Sequence, residues 1–374
     1  MSSLRNSGRR AVGLVAAASA VLALTACGPA GPDDESSGNR EAKYKRVIVD
    51  PHPHPADVIQ MAGAPTAVVR AGEGSLLLTY DAGNVEDDEG PAASAWRIID
   101  PDGATVAQHA EHTDAEATQA AYKGVTGGFV RMPPGEGADG AYALDVRGRR
   151  QKVVITGTPL RSRPGDVLLA ELEPTLIYRP ATRTVAPPAG VPQDAVRLAV
   201  DERGTIWSLD QSLTEDPDRV LWQRDGRTLG STAVPKPYTG GVLVGRGGTA
   251  ALSLIRGESV AGLLVTTDSG KHWRTVLGGV AWRDLKRGPE SLVLEVLADG
   301  RLLLGEEGGR YWLADDHANS AFHDLKTPTA FTSLTVHGKT LYGIADATTA
   351  TYTLVKGEGL WISHDGGRAW RRHE

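Results

Sequence analysis

The chain has 374 residues, 40% of them hydrophobic, with 46 acids against 40 lysines and arginines for a formal charge of −6. That acidic balance argues against nucleic acid or an anionic lipid surface as partner, because both reward a basic face. The single cysteine, Cys27, excludes a disulfide framework and any metal site built on several thiolates.

Residues 1–26 have the form of a targeting segment. Arg5, Arg9 and Arg10 make a basic start, and Ala11–Leu24 is a mildly apolar stretch too short to span a bilayer, as in a signal peptide. The stretch ends in Leu24-Thr25-Ala26-Cys27-Gly28, which resembles the lipobox of bacterial lipoproteins. The resemblance implies cleavage before Cys27 and a diacylglyceryl group on its sulfur. It also implies export, with the protein lipid-anchored to the outer face of the cytoplasmic membrane. Two acyl chains hold stably, each buried CH₂ contributing about 0.8 kcal/mol. Residues 27–42, rich in Pro, Gly, Ser and acids, read as a solvated tether, and residues 43–374 as the folded domain.

Along that domain no long 3.6-residue periodicity stands out. Apolar runs of four to eight residues alternate with Gly, Asp and Pro clusters, which is strand spacing. In chain order, Arg46–Val49 is a candidate strand beside the last strand of the chain. Pro51-His52-Pro53-His54-Pro55 is a stiffened surface turn; its two imidazoles lack a third ligand, as do His109 and His112. The acidic run Asp81–Glu89 lacks the spacing of a calcium loop, so no metal and no cofactor are expected. Candidate strand pairs follow at Trp96–Ile99 with the Asp102-Gly103 turn, Tyr142–Val146 with Lys152–Ile155, and Val167–Leu169 with Leu176–Tyr178. Three clear hairpins are Leu198–Trp207, Leu294–Leu304 and Leu334–Tyr342. Gly245-Arg246-Gly247-Gly248-Thr249-Ala250 imitates a dinucleotide fingerprint, but Arg256-Gly257 cuts short the helix such a motif requires. It reads as another hairpin turn.

Two segments share one spelling: Thr266-Thr267-Asp268-Ser269-Gly270-Lys271-His272-Trp273 and Ser363-His364-Asp365-Gly366-Gly367-Arg368-Ala369-Trp370. Each has a carboxylate that can accept turn N–H groups, a glycine free to take positive φ, and a Trp that returns as a hydrophobic peg. The pattern resembles the Asp box (BNR repeat) of β-propellers such as sialidases and photosystem II assembly-factor-like proteins. The resemblance implies structural roles for Thr266, Asp268, Gly270, Trp273, Ser363, Asp365, Gly367 and Trp370, on the outer rim between the third and fourth strands of a blade. Glu307, Gly309 and Trp312 read as a decayed copy. The pegs Trp222, Trp273, Trp312 and Trp370 are 51, 39 and 58 residues apart, against about 40–50 for one propeller blade. The expected fold is therefore all-β, a propeller of about seven four-stranded blades, with six or eight blades, or two β-sandwiches, as competitors.

Chemistry is less legible. The sialidase pattern of three arginines, a Tyr–Glu pair, an Asp acid/base and a Phe/Tyr-Arg-Ile-Pro motif finds only Tyr178-Arg179-Pro180, which lacks the Ile and lies mid-chain. No nucleophile elbow or phosphate loop is present, and no catalytic residue is assigned. The expectation is a non-enzymatic binding or scaffolding module, holding an unknown protein or glycan at its axial face and no nucleic acid. The alternatives are an extracellular sialidase-type glycoside hydrolase and an assembly factor for exported or membrane complexes. Three arginines or paired carboxylates at the axis would favour the hydrolase.

Overall fold

Short apolar runs separated by tight turns build seven four-stranded sheets in succession, arranged as blades around an axis. The computed structural model describes Val47 and residues 50–82, 92–113, 121–132, 140–169, 175–192, 195–211, 217–280, 282, 285, 291–306, 309–345 and 359–373. Cys27, the targeting segment, the tether and Glu307 lie outside them.

Blade 1 is β1 (Ala67–Arg70), β2 (Leu76–Ala82), β3 (Ala92–Ile99) and β4 (Thr105–Thr113). Blade 2 is β5 (Ala121–Val125), β6 (Gly128–Met132), β7 (Tyr142–Asp145) and β8 (Arg150–Lys152). Blade 3 takes β9 (Val154–Ile155), β10 (Val167–Leu169), β11 (Leu176–Arg179) and β12 (Thr184–Ala186). Blade 4 holds β13 (Ala195–Val200), β14 (Ile206–Asp210), β15 (Arg219–Arg224) and β16 (Arg227–Ala233). Blade 5 holds β17 (Thr239–Arg246), β18 (Thr249–Arg256), β19 (Ser259–Thr266) and β20 (Arg274–Val276). Blade 6 is β21 (Leu292–Val296), β22 (Leu302–Glu306), β23 (Tyr311–Ala314) and β24 (Phe322–Asp324). Blade 7 is β25 (Ser333–His337), β26 (Thr340–Ala345), β27 (Gly359–Ser363) and β28 (Arg371–His373). Middle strands such as β18 are buried along nearly their whole length, because each blade is covered on both faces. Their sequences therefore run apolar instead of alternating.

Blade 3 departs from the meander. Its outer strand β9 precedes the other three in sequence and runs parallel to β12, with Val154 opposite Thr184 and Ile155 opposite Val185. The sequence pairing of Lys152–Ile155 with one neighbour is thus split between two blades. The physical cause is Val153, which buries itself in the core between blades 2 and 3 and turns the chain from one sheet edge to the next.

The tryptophan pegs also divide into two kinds. Trp273 and Trp370 stand just before fourth strands, whereas Trp222 and Trp312 lie within the third strands β15 and β23. Their spacing mixes two positions of the repeat, which is why it is uneven. The expected copy at Gly309 and Trp312 is corrected on the same ground: Gly309 closes the β22–β23 turn by donating its N–H to Glu306 O at 2.9 Å. In blade 6 the turn between third and fourth strands belongs instead to Asp316 and Asn319, whose Oδ1 atoms accept from Ala318 N (2.8 Å) and Leu302 N (2.8 Å).

Blade 7 takes its four strands, β25 to β28, in sequence order. Of the early segment expected beside β28, Arg46–Val49, only Val47 is among the described residues. Blades 7 and 1 also pack against each other. Helix α1 (Pro55–Ala62), absent from the sequence expectation, is capped by His54, whose Nδ1 accepts from Ala56 N. Val47 and Val58 of this entry segment join Leu78 and Tyr80 of blade 1 and Tyr342, Ile344 and Leu360 of blade 7 in one buried cluster. Each aliphatic side chain fully buried there contributes about 1.5–3 kcal/mol.

Candidate functional site

The inner strands of all seven blades surround an axial cavity of about 770 Å³. Six of them reach it through their C-terminal halves, so side chains at the ends of β1, β13, β17 and β25 converge there. Eight titratable groups, from all seven blades, line it: Arg70, Lys123, Asp166, Asp201, Glu202, Arg246, Glu295 and His337. Apolar wall is supplied by residues such as Leu198, Val200, Leu243 and Val244.

The charges are unevenly answered. Arg246 Nε pairs with Glu202 Oε1 at 2.7 Å. Asp166, almost wholly buried, takes both Nε (3.0 Å) and Nη2 (2.7 Å) of Arg179 and the Arg163 N–H (2.9 Å). Asp201 Oδ1 caps the β13–β14 turn by accepting from Arg203 N (2.9 Å) and Thr205 N (2.8 Å), while its Oδ2 is buried without a partner. These acids all come from the side of blades 3 and 4. On blades 1 and 2, Arg70 and Lys123 have no carboxylate within ion-pair reach among the described residues, and Arg70 Nε is buried without a hydrogen-bond acceptor. Glu73, on the turn after β1, is not part of the cavity wall and accepts the Gly127 N–H.

Burial pushes the Glu295 carboxyl up to about 7, with Lys123 and then Arg246 pulling the other way. Burial, followed by Arg246, Arg70 and Lys123, holds the His337 imidazole down to about 4. At neutral pH the ring is therefore uncharged. Its Nε2 accepts the Arg70 backbone N–H at 3.3 Å, which leaves the proton on Nδ1 and ties blade 7 to blade 1 across the closing seam.

The residues singled out in the sequence lie elsewhere. Thr266 Oγ1 donates to Asp268 Oδ1 (2.9 Å) and accepts Gly270 N (3.0 Å), and Asp268 also takes His272 N (3.0 Å). Ser363 Oγ repeats this with Asp365 Oδ1 (2.8 Å) and Gly367 N (2.8 Å), and Asp365 accepts Arg368 N and Ala369 N at 3.0 Å each. Both turns join third and fourth strands, and none of their residues lines the axial cavity. Gly270 has φ +87°, and a Cβ there would fall 2.5 Å from the Trp222 ring. Trp273 packs on Trp207 and Trp222 of blade 4 at 5.9 and 5.8 Å. Trp370 packs on Phe331 at 5.0 Å and donates Nε1–H to Lys326 O. Trp207 is fully buried, Trp282 donates to Leu277 O, and Arg179 serves Asp166. Arg246 does reach the cavity, from the turn read as a hairpin. Lys123, Glu295 and His337 were missed, although each is the lone charged or imidazole residue of an apolar inner strand.

No protein-family model matches the chain, and no curated protein matches it. Among solved structures it is similar to the β-propeller domain of the Trilobed protease from Pyrococcus furiosus, which has an open velcro topology. The TM-score is 0.50 at 12% identity, covering 83% of this chain and 95% of that one. The fold is a seven-bladed β-propeller. A puromycin-hydrolyzing peptidase of Mycobacterium tuberculosis is similar at TM-score 0.48 and 15% identity, with 86% of this chain covering 55% of that one. BamB from Moraxella catarrhalis is similar at TM-score 0.38 and 12% identity, over 75% of this chain and 81% of that one. At these identities the likeness shows the architecture alone.

Proposed function

We propose that this propeller is an exported, lipid-anchored binding module whose ligand enters the axial cavity, with no hydrolytic chemistry of its own. The observation that carries the reading is the cavity itself: side chains from every blade converge on a space of about 770 Å³, the scale of a small-ligand site with few polar groups in an apolar wall. The described lining holds two arginines, Arg70 and Arg246, where a sialidase would need three. Asp166 is held by Arg179 and Asp201 by its turn, which supports binding over hydrolysis. In this reading Thr266–Trp273 and Ser363–Trp370 are Asp boxes with structural roles, and the lipobox cysteine, Cys27, fixes the propeller to the outer face of the cytoplasmic membrane.

Two measurements test it. Cys27→Ser should move the protein from the membrane pellet to the medium; a variant that still pellets contradicts the anchor. Calorimetric titration with small anions and neutral oligosaccharides should find a ligand lost in Leu198→Trp, which plugs the cavity, while fluorogenic sialosides and glycosides give no turnover. Binding indifferent to the plug, or release of fluorophore, contradicts the module.

A further inference from the structure

Another cavity, of about 410 Å³, lies on the seam where blade 7 meets blade 1, and it shares no lining residue with the axial one. Strand register sets its walls. Leu78 of β2 stands opposite Arg97 of β3, and Tyr80 and Ile99, each two residues further along, share that face. From blade 7 come Leu360 and, opposite it, His373. Ile59 of α1 and Pro65 add to the lining. The charged or titratable side chains of the wall are Tyr80, Arg97, Arg372 and His373, and no carboxylate lines the space.

Two of these groups stand together with bonding capacity unused. Tyr80 is only 4% exposed, yet its hydroxyl has no hydrogen-bond partner among the described residues. Burial raises its pKa above the ordinary phenol value, with Arg97 pulling the other way, so at neutral pH it keeps its proton. The Arg97 guanidinium carbon lies 5.8 Å from the centre of the same ring. Its Nε is buried without an acceptor, and the side chain forms no ion pair among the described residues. A cation and an O–H left without an acceptor in a confined apolar space are costly.

The geometry points to a second ligand site here, one that takes a small organic acid. Its carboxylate is held by the Arg97 guanidinium and the Tyr80 hydroxyl, and its carbon body lies against Leu78, Ile99 and Leu360. A carboxylate is acceptor-only and can take a guanidinium N–H and a hydroxyl at once through charge-assisted bonds. The volume is that of a small-ligand site with few polar groups in an apolar wall.

Calorimetry on the full-length protein tests it, with hexanoate and benzoate each run beside its neutral amide. At least one acid should bind, and its amide should bind at least about tenfold more weakly. Arg97→Gln should weaken the acid about tenfold or more, and Tyr80→Phe, which keeps the ring, about tenfold. Binding should persist in Leu198→Trp, which plugs only the axial cavity, so this site and the axial one stand or fall separately. No heat with either acid overturns the proposal, as do amides that bind as well as their acids. Binding unchanged in both folded variants, or lost in Leu198→Trp, also overturns it. Should Arg97→Gln fail to fold, Tyr80→Phe and the acid–amide comparison on the wild type still decide.

Discussion

The acids of the rim and the acid of the axis have opposite surroundings. At the rim, Asp268 is saturated by the His272 backbone N–H, the His272 ring and Thr266, and these bonds hold its carboxyl down to about 2. Asp365 is likewise lowered, chiefly by Ala369 N–H and Ser363 Oγ. At the axis, Glu295 is pushed up to about 7 by burial. The rim acids are spent on making a turn, in water. The axial groups are left with capacity to spare, in confinement, and that is where a ligand gains most.

The largest effect expected separates two neighbouring rim glycines. Gly367 has φ +89° and a Cβ there would sit 2.2 Å from Leu325 Cδ1, so Gly367→Ala should cost about 3 kcal/mol from strain and overpacking together. Gly366, at φ +76°, would meet only the end of the Arg301 side chain at 3.3 Å. Gly366→Ala should cost about 1 kcal/mol. Equal losses in denaturant titrations would show that the turn is not packed as described.

At the axis, two variants should bend the pH profile of stability in opposite directions. Glu295 has its folded value raised, so its unfolded form loses the proton first, and stability falls as pH climbs from about 4.5 to 7. Glu295→Gln should therefore be the more stable protein at pH 8, by up to about 3 kcal/mol. His337 has its folded value lowered, so stability falls as pH drops from 6.5 toward about 4. His337→Gln should flatten that limb. In wild type the two slopes offset each other between about 4.5 and 6.5, and each single variant uncovers the other. Parallel profiles for all three proteins would contradict the buried positions assigned to both groups.

The smallest effect is expected from Asp268→Asn. It should lower the thermal midpoint slightly above pH 4 and not at pH 2, because the turn's carboxylate bonds are lost as pH falls through about 4 to 2. Ligand binding in the axial cavity should not change. A change would mean that rim and axis are coupled.

The fold was readable because turns repeat. An Asp closing a tight turn recurs at Asp100, Asp145 and Asp201, each Oδ1 accepting two backbone N–H groups, and the hairpins around them carry the blade rhythm. Helix α1 was missed because eight residues behind a Pro-His-Pro-His run offer barely two turns of periodicity. The third-blade crossover was missed because β9 is two residues long, too short for any pattern. The site was unreadable for another reason. Arg70, Lys123, Glu295 and His337 come from four blades, spread over more than 260 residues, and only the closed ring brings them together. The same acids that repeat visibly in sequence are those already satisfied locally, so repetition marked the frame and drew attention away from the cavity.

Calorimetric titration of wild type and Leu198→Trp side by side tests the central claim, that the axial cavity is the binding site, most directly. The account expects a small ligand whose heat of binding is lost when the cavity is plugged. Binding unchanged in Leu198→Trp would contradict it.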